Sequence, residues 1–251
     1  MMPDLQTPAA SPPLNARCRL PCADCPAFSH SLFADLPNES REKIDRFKIT
    51  LRYEKGQNIH KEGNPSYGIH CIGSGIVKVY KTTGKQYIVR LAGRGSVLGL
   101  PTLVTGIPYL WTAEAVQSST ICFIPREVLL ENIGKNPAMA IRIINILSHF
   151  LVESEQQRIE LVRGTVRQRI ARFLLFLSKN HGVREREGIA IRAGLTRRDM
   201  ADTVGAAEGT FIRILKEFRE RGILKIRQRE IIVTDPERVA QLASGPESPD
   251  A

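Results

Sequence analysis

Three cysteines stand close together near the start of the chain, as Cys18-x3-Cys22-x2-Cys25, and two more, Cys71 and Cys122, stand alone far downstream. Thiolates are soft ligands. Three at this spacing can each hold one iron of a single iron–sulfur cluster, with a fourth ligand drawn from elsewhere in the chain. The same triplet could hold zinc, or two of its members could form a redox pair. Cys71 lies in the apolar run Ile69–Ile72 and reads as a small buried hydrophobe. The five histidines, His30, His60, His70, His149 and His181, are scattered and form no ligand pattern. No apolar run of about 18 residues and no basic-then-apolar leader occurs, so the sequence is expected to stay off membranes and in the cytoplasm. Disulfides are rare in that compartment, and the cysteines need another use.

A second group of residues has the types that read DNA. The segment from Arg163 to Arg229 carries 17 Lys or Arg against seven Asp or Glu, so the whole net charge of +10 sits there. A basic segment beside a neutral one suits a polyanion, because neutralised phosphates release counterions. Within it, Thr196-Arg197-Arg198-Asp199 has the form of a capping box with Asp in place of Glu. That predicts a helix to about Val204, a tight turn at Gly205-Ala206-Ala207, and a second helix from about Glu208 to Arg221. Ile223–Ile226 and Ile231–Val233 then flank the charged turn Arg227-Gln228-Arg229-Glu230, which reads as a hairpin wing. Helix, glycine turn, helix and wing outline a winged helix-turn-helix whose second helix enters the major groove. The groove-facing candidates are Glu208, Gly209, Thr210, Ile212 and Arg213. Arg213 can pair bidentately with guanine, and Ile212 can touch a thymine methyl. Arg197, Arg198, Lys216, Lys225, Arg227 and Arg229 suit phosphates, which fix register without reading sequence.

Other elements must position these groups. Residues 1–17 hold four prolines and no periodic pattern and read as a disordered arm, as do residues 244–251. From about Leu51 to Pro125, short apolar runs are punctuated by glycine, the pattern of a β-roll or barrel, with a short helical approach at Ser40–Phe47. Residues 18–136 are therefore expected to form a cysteine-bearing segment and a cupin-like β-roll sensor domain. Residues 137–163 predict one long helix, with Pro137 in its first turn. Its apolar positions include Ile144, Leu147, Leu151 and Ile159, with Glu155 among them. That stripe is too apolar for water and must meet the β domain or a partner helix. Residues 164–243 complete an α+β chain with the DNA-binding domain.

In plan and motif the chain resembles the cyclic-AMP receptor protein and fumarate–nitrate reduction regulator (Crp/Fnr) family of transcription factors over about residues 18–243. The likeness lies in Glu62-Gly63-Asn64 through Ile72-Gly73-Ser74-Gly75-Ile76-Val77-Lys78-Val79, and in Leu195–Ala201, Val204-Gly205 and Thr210–Lys216. It implies a homodimer on palindromic double-stranded DNA that works with RNA polymerase, not an enzyme; no paired carboxylates, nucleophile elbow or phosphate loop argue otherwise. Aligned on Arg213, the glutamate that family members use to read cytosine falls at Gly209, with Glu208 one residue early. The phosphate cassette of cyclic-nucleotide binders has Leu100 for its glutamate and lacks its arginine near Leu110–Thr112, so no cyclic nucleotide is expected. The place of the ligand in the family's haem-binding carbon monoxide sensor is Pro101. Likeness to the oxygen-sensing members implies a [4Fe-4S] cluster on Cys18, Cys22, Cys25 and Cys122, although those members have a further cysteine near the place of Ser31. Loss of the cluster to oxygen or nitric oxide would weaken the dimer, with Glu153 and Glu155 on its helix as repelling charges.

Overall fold

Antiparallel pairing of the glycine-bounded runs builds two four-stranded sheets in the computed structural model, which describes residues 21–244 apart from 26, 35 and 229. One sheet has the order β1 (Ile49–Tyr53), β8 (Ser119–Pro125), β3 (Gly68–Ser74), β6 (Val97–Leu98). The other has β2 (Asn58–His60), β7 (Thr112–Ala115), β4 (Val77–Thr83), β5 (Lys85–Ala92). Side chains alternate across each strand. On β3 and β8, Ile72 and Ile121 therefore point between the sheets, into a core with Val77, Val79, Leu98, Ala113 and Ala115. Ile69 and Ile124 point outward, into a second core. The β3–β4 turn needs Gly75: its φ is +93°, and a Cβ would stand 2.1 Å from Ser119 Oγ.

The second core is closed by two short 3-10 turns (Cys22–Asp24 and Phe28–His30), α1 (Asn38–Phe47), α2 (Leu100–Thr105), α3 (Arg126–Lys135) and the first half of α4 (Pro137–Arg163). Leu32, Phe33, Ile44, Leu129, Met139 and Ile143 fill it. The long helix has the bounds its sequence predicts. Leu147 does not lie on its open stripe but packs with Ile143, Ile146 and Phe150 against the sensor core, while Ile144, Leu151 and Ile159 stay more than half exposed.

The basic segment forms α5 (Val166–His181), β9 (Gly182–Glu185), β10 (Gly188–Ile191), α6 (Arg197–Thr203), α7 (Glu208–Glu220), β11 (Leu224–Arg227), β12 (Glu230–Val233) and α8 (Pro236–Ser244). Thr165 and Gln168 form a capping box at the start of α5. The helix α8 reaches Ser244, where the sequence suggests only a tail. The arm 1–17, Cys18, Arg229 and residues 245–251 lie outside the described residues.

Two histidines in the sensor domain make folding sensitive to acid. The ring of His60 stacks on Tyr109 at 3.9 Å between centroids, and that of His70 lies 5.3 Å from His60. Their Nδ1 atoms are buried with no partner among the described residues. Burial pushes His60 down to about 4. Burial, aided by His60, pushes His70 down to about 3. The unfolded chain binds protons at both near pH 6.5 and the folded chain does not, so stability is full above 6.5 and falls as pH drops toward 4. Stability against thermal unfolding is expected to fall from pH 7 to pH 5 by on the order of 1 kcal/mol per histidine per pH unit below 6.5. His60→Gln should make that slope shallower, and an unchanged slope would count against the assignment.

Candidate nucleic-acid interface and cysteine pocket

The first helix of the helix-turn-helix, α6, starts as its capping box dictates. Thr196 Oγ1 accepts from the Asp199 amide at 3.0 Å, and Asp199 Oδ2 accepts from the Thr196 amide at 3.0 Å. Gly205, at φ +63°, turns the chain into α7. On α7, Phe211, Ile214, Leu215 and Phe218 are buried and pin the helix to the domain core. The 3.6-residue period leaves Glu208, Gly209, Ile212, Arg213 and Lys216 exposed on the other side, with Thr210 half-buried. Gly209, Ile212, Arg213 and Lys216 stand at i, i+3, i+4 and i+7 and share one face.

The cations differ in availability. Arg213 and Arg198 are exposed, and Arg213 has no ion-pair or hydrogen-bond partner among the described residues. Lys216 lies 3.8 Å from Glu220. Arg197 is half-buried with Nη1 3.6 Å from Met200 Sδ, and burial lowers its pKa. On the wing, Lys225 and Arg227 pair with Glu187 at 3.5 and 2.7 Å, so a phosphate must compete with that carboxylate.

The cysteines meet at a different place. Cys22 on the first 3-10 turn, Cys25 just after it, Cys71 on β3 and Cys122 on β8 are free thiols that line one cavity of about 220 Å³, with Phe28, Ser31, Lys48 and Thr50 among its walls. The turn is anchored on α1: the Cys22 amide donates to Asp45 Oδ1 at 2.9 Å, and Lys48 Nζ donates to Cys22 Sγ at 3.2 Å. Burial, with the Asp45 carboxylate beside it, pushes the Cys22 thiol up to about 12. Cys122 Sγ is 3.3 Å from Thr50 Oγ1. Three of the four cysteines expected as ligands thus share a wall, and Cys18 lies outside the described residues. Cys71, expected to be a plain core residue, lies with them. Sequence reasoning missed it because its cross-strand register opposite Cys122 is a non-local fact.

The cavity offers the thiol donors and the enclosure that a cluster would need. Among the described residues, no group of three or more metal-binding side chains could hold a metal ion. One tetrahedral zinc needs every sulfur about 2.3 Å from a single point, whereas each thiolate of a cluster takes its own iron, so a cluster suits donors spread over a cavity wall.

A larger space, about 310 Å³, lies between the β-roll and α4 and is lined by His60, Arg90, Gly99, Tyr109, Trp111 and Glu153, among others. The residue aligned with the nucleotide-binding glutamate, Leu100, is buried. The cation at this cavity is Arg90, which sequence alignment did not single out. Its Nη2 donates to Val97 O at 2.9 Å, and its guanidinium lies 4.2 Å from the Phe150 ring centre.

A ligand-sensor β-roll, a long helix and a winged helix-turn-helix define a DNA-binding transcription regulator. The model of the cyclic nucleotide-binding domain matches residues 50–136, and that of the Crp-like helix-turn-helix domain matches residues 168–242. The fumarate and nitrate reduction regulatory protein of Vibrio cholerae is 25% identical over 241 residues, covering 95% of this chain and 96% of that protein. The transcriptional activator protein anr of Pseudomonas aeruginosa is 25% identical, covering 89% of this chain and 93% of its own. The fold is that of FixK2 from Bradyrhizobium japonicum, with a TM-score of 0.70 at 24% identity, covering 78% of this chain and 96% of that one. The chain belongs to the Crp/Fnr family of transcription regulators.

The geometry of α7 gives two expected outcomes. Arg213→Ala should weaken binding to a selected site by roughly 1–3 kcal/mol and leave binding to random duplex nearly unchanged, as measured by mobility shift at fixed salt. At Gly209 a Cβ meets nothing within 4 Å. Gly209→Glu should therefore fold normally and add a carboxylate to the face that carries Arg213. Site selection from a random duplex pool should then gain cytosine next to the base pair read by Arg213, and an unaltered consensus would show that residue 209 does not face the bases.

Proposed function

We propose that this regulator acts as a homodimer on palindromic DNA and takes its signal, oxygen, nitric oxide or redox state, through an iron–sulfur cluster on its N-terminal cysteines. The observation that carries the signal reading is the shared cavity of Cys22, Cys25 and Cys122, formed by residues about 100 positions apart in sequence. Those three are ligands, and the resemblance gives the fourth place to Cys18. A bound cluster supplies an oxygen-labile redox centre there. The likeness to proteins named as fumarate and nitrate reduction or anaerobic regulators supports the same reading.

The protein's own residues would do the rest. Cys22 and Cys25 fasten the 3-10 turn to the sheet face that carries Cys122, and the core beneath that turn includes Met139 and Ile143 of α4. Dimerisation is supported by the outer face of that helix. Ile141, Ile144, Leu151, Ile159 and Val162 are more than half exposed, and positions 141, 144, 148, 151, 155 and 162 keep coiled-coil spacing. Glu155 lies in this row, where it would face its own copy. Glu153 instead acts on Arg90 of the sensor domain. The regulator would work in the cytoplasm beside RNA polymerase; among the described residues no helix is long and apolar enough to cross a membrane.

Purified without oxygen, the full chain should be brown and carry about four iron and four sulfide per chain. Air should bleach it and weaken specific DNA binding at least about tenfold, about 1.4 kcal/mol. A colourless protein free of iron and sulfide would sink the cluster and leave the DNA-binding function standing.

A further inference from the structure

The cavity contains one thiol, Cys71, that the resemblance does not assign. On the outer face of its sheet, Cys71 is the direct cross-strand partner of Cys122, and Cys122 is in turn the partner of Thr50. Directly opposite residues of adjacent antiparallel strands point the same way with Cβ atoms about 4.5–5.5 Å apart. Two residues along β3 on the same face stands Gly73, where a Cβ would lie 3.7 Å from Cys25 Sγ. Cys25 therefore sits over the strand that carries Cys71, in room that a glycine leaves open. Cys22 closes the same cavity.

Ser31, near the place of the family's further cysteine, is occupied with its own loop. Its hydroxyl donates to Phe28 O at 2.8 Å and accepts from the Phe33 amide at 3.1 Å. The site thus has an oxygen committed elsewhere at one position and an unexplained sulfur at another. Cys71 is only partly buried: it packs at the edge of the second core and lines the cavity that holds the other three thiols. A residue wanted only for packing there would be served as well by valine, which strands favour.

We infer that the four sulfur donors of this chain's cluster are Cys22, Cys25, Cys71 and Cys122, with Cys71 on β3 taking the place that the resemblance gives to Cys18. The inference rests on the cluster reading above. It makes the site two-stranded on its sheet side: β3 and β8 each give one sulfur from opposite positions of one ladder, and the 3-10 turn gives two from above.

The full chain is reconstituted without oxygen as wild type, Cys18→Ser, Cys71→Ala and Cys71→Val. Iron and sulfide per chain, the visible absorption and the electron paramagnetic resonance spectrum after reduction are recorded. Cys71→Val fills the site with an apolar strand residue but offers no donor, so it separates packing from ligation. Thermal unfolding of each metal-free variant checks that it is folded. The expected result is a full load and wild-type spectra for Cys18→Ser, and loss of more than half the iron and sulfide from both Cys71 variants. A Cys71→Val protein that loads fully, or a Cys18→Ser protein that does not, overturns the inference and leaves the cluster in place. A wild type that takes up no sulfide, or binds zinc or iron without it, overturns both.

Discussion

The two halves of the molecule meet through a buried ion pair, set beside an apolar contact of Ile76 and Val116 with the core of the DNA-binding domain. Lys78 Nζ of β4 donates to Asp199 Oδ1 of α6 at 2.8 Å, and both side chains are only 10% exposed. Glu114 adds a second carboxylate 3.3 Å from the same ammonium. Asp199 also serves its own helix, accepting from the amide and the hydroxyl of Thr196. Burial alone would raise its carboxyl, but the hydrogen bonds from Lys78 and Thr196 hold it below its ordinary value. A pair of this kind adds little over a well-packed apolar pair, yet leaving one partner alone costs about 3–5 kcal/mol. Its effect is therefore one of placement: it ties a capping-box residue of the first helix of the helix-turn-helix to a lysine of the sensor domain. Gly194 reinforces the joint, for its Cβ would stand 2.7 Å from Val116 O, and its carbonyl accepts from Lys55 at 2.9 Å.

A second connection runs along α4. Its first half shares a core with the cysteine-bearing turn and the outer face of the β8–β3 sheet. Near its far end, Leu161 Cδ2 lies 3.1 Å from where a Cβ on Gly205 would be, at the turn between α6 and α7. A helix of 27 residues spans roughly 40 Å at 1.5 Å per residue, so one rigid element touches the thiol pocket's core and the turn that aims the groove-reading helix. The open apolar face of the same helix runs alongside both contacts, from Ile141 to Val162. A displacement of the cysteine turn thus has a rigid element to act on, and that element also carries the proposed dimer surface.

Local signals were legible in the sequence and non-local ones were not. The bounds of α4, the capping box at Thr196, the glycine turn and the wing each depend on a few neighbouring residues, and the chain carries them as pattern. The strands β1, β2, β6 and β7 are short and acquire their identity from a partner strand, so the stretch shows its β-roll pattern without their bounds. The helices α2, α3 and α8 run 6, 10 and 9 residues, too short for periodicity to declare itself. Leu147 fits the heptad-like stripe on paper, but the stripe drifts around a straight helix, and the sensor core takes Leu147 while water takes Ile144 and Leu151. Cys71 has the same origin as an oversight: nothing in Ile69–Ile72 reveals that Cys122 stands across the ladder.

The second helix of the helix-turn-helix, α7, shows how much a one-residue offset means. Successive residues of a helix are turned by about 100°, so a carboxylate at Glu208 cannot point where one at residue 209 would. Glu208 instead opens α7, where its charge meets the positive end of the helix dipole. Position 209 is left as bare backbone, one turn before Arg213 and on its face. The face that remains offers a guanidinium, the isoleucine side chain of Ile212 and a lysine, but no acceptor of its own between Gly209 and Lys216. A carboxylate there would accept from the amino group of cytosine, and the other three groups cannot do so. On the face shared by Gly209, Ile212, Arg213 and Lys216, the exposed chemistry is therefore that of donors and apolar contact, with the carboxylate of Glu208 turned away from it.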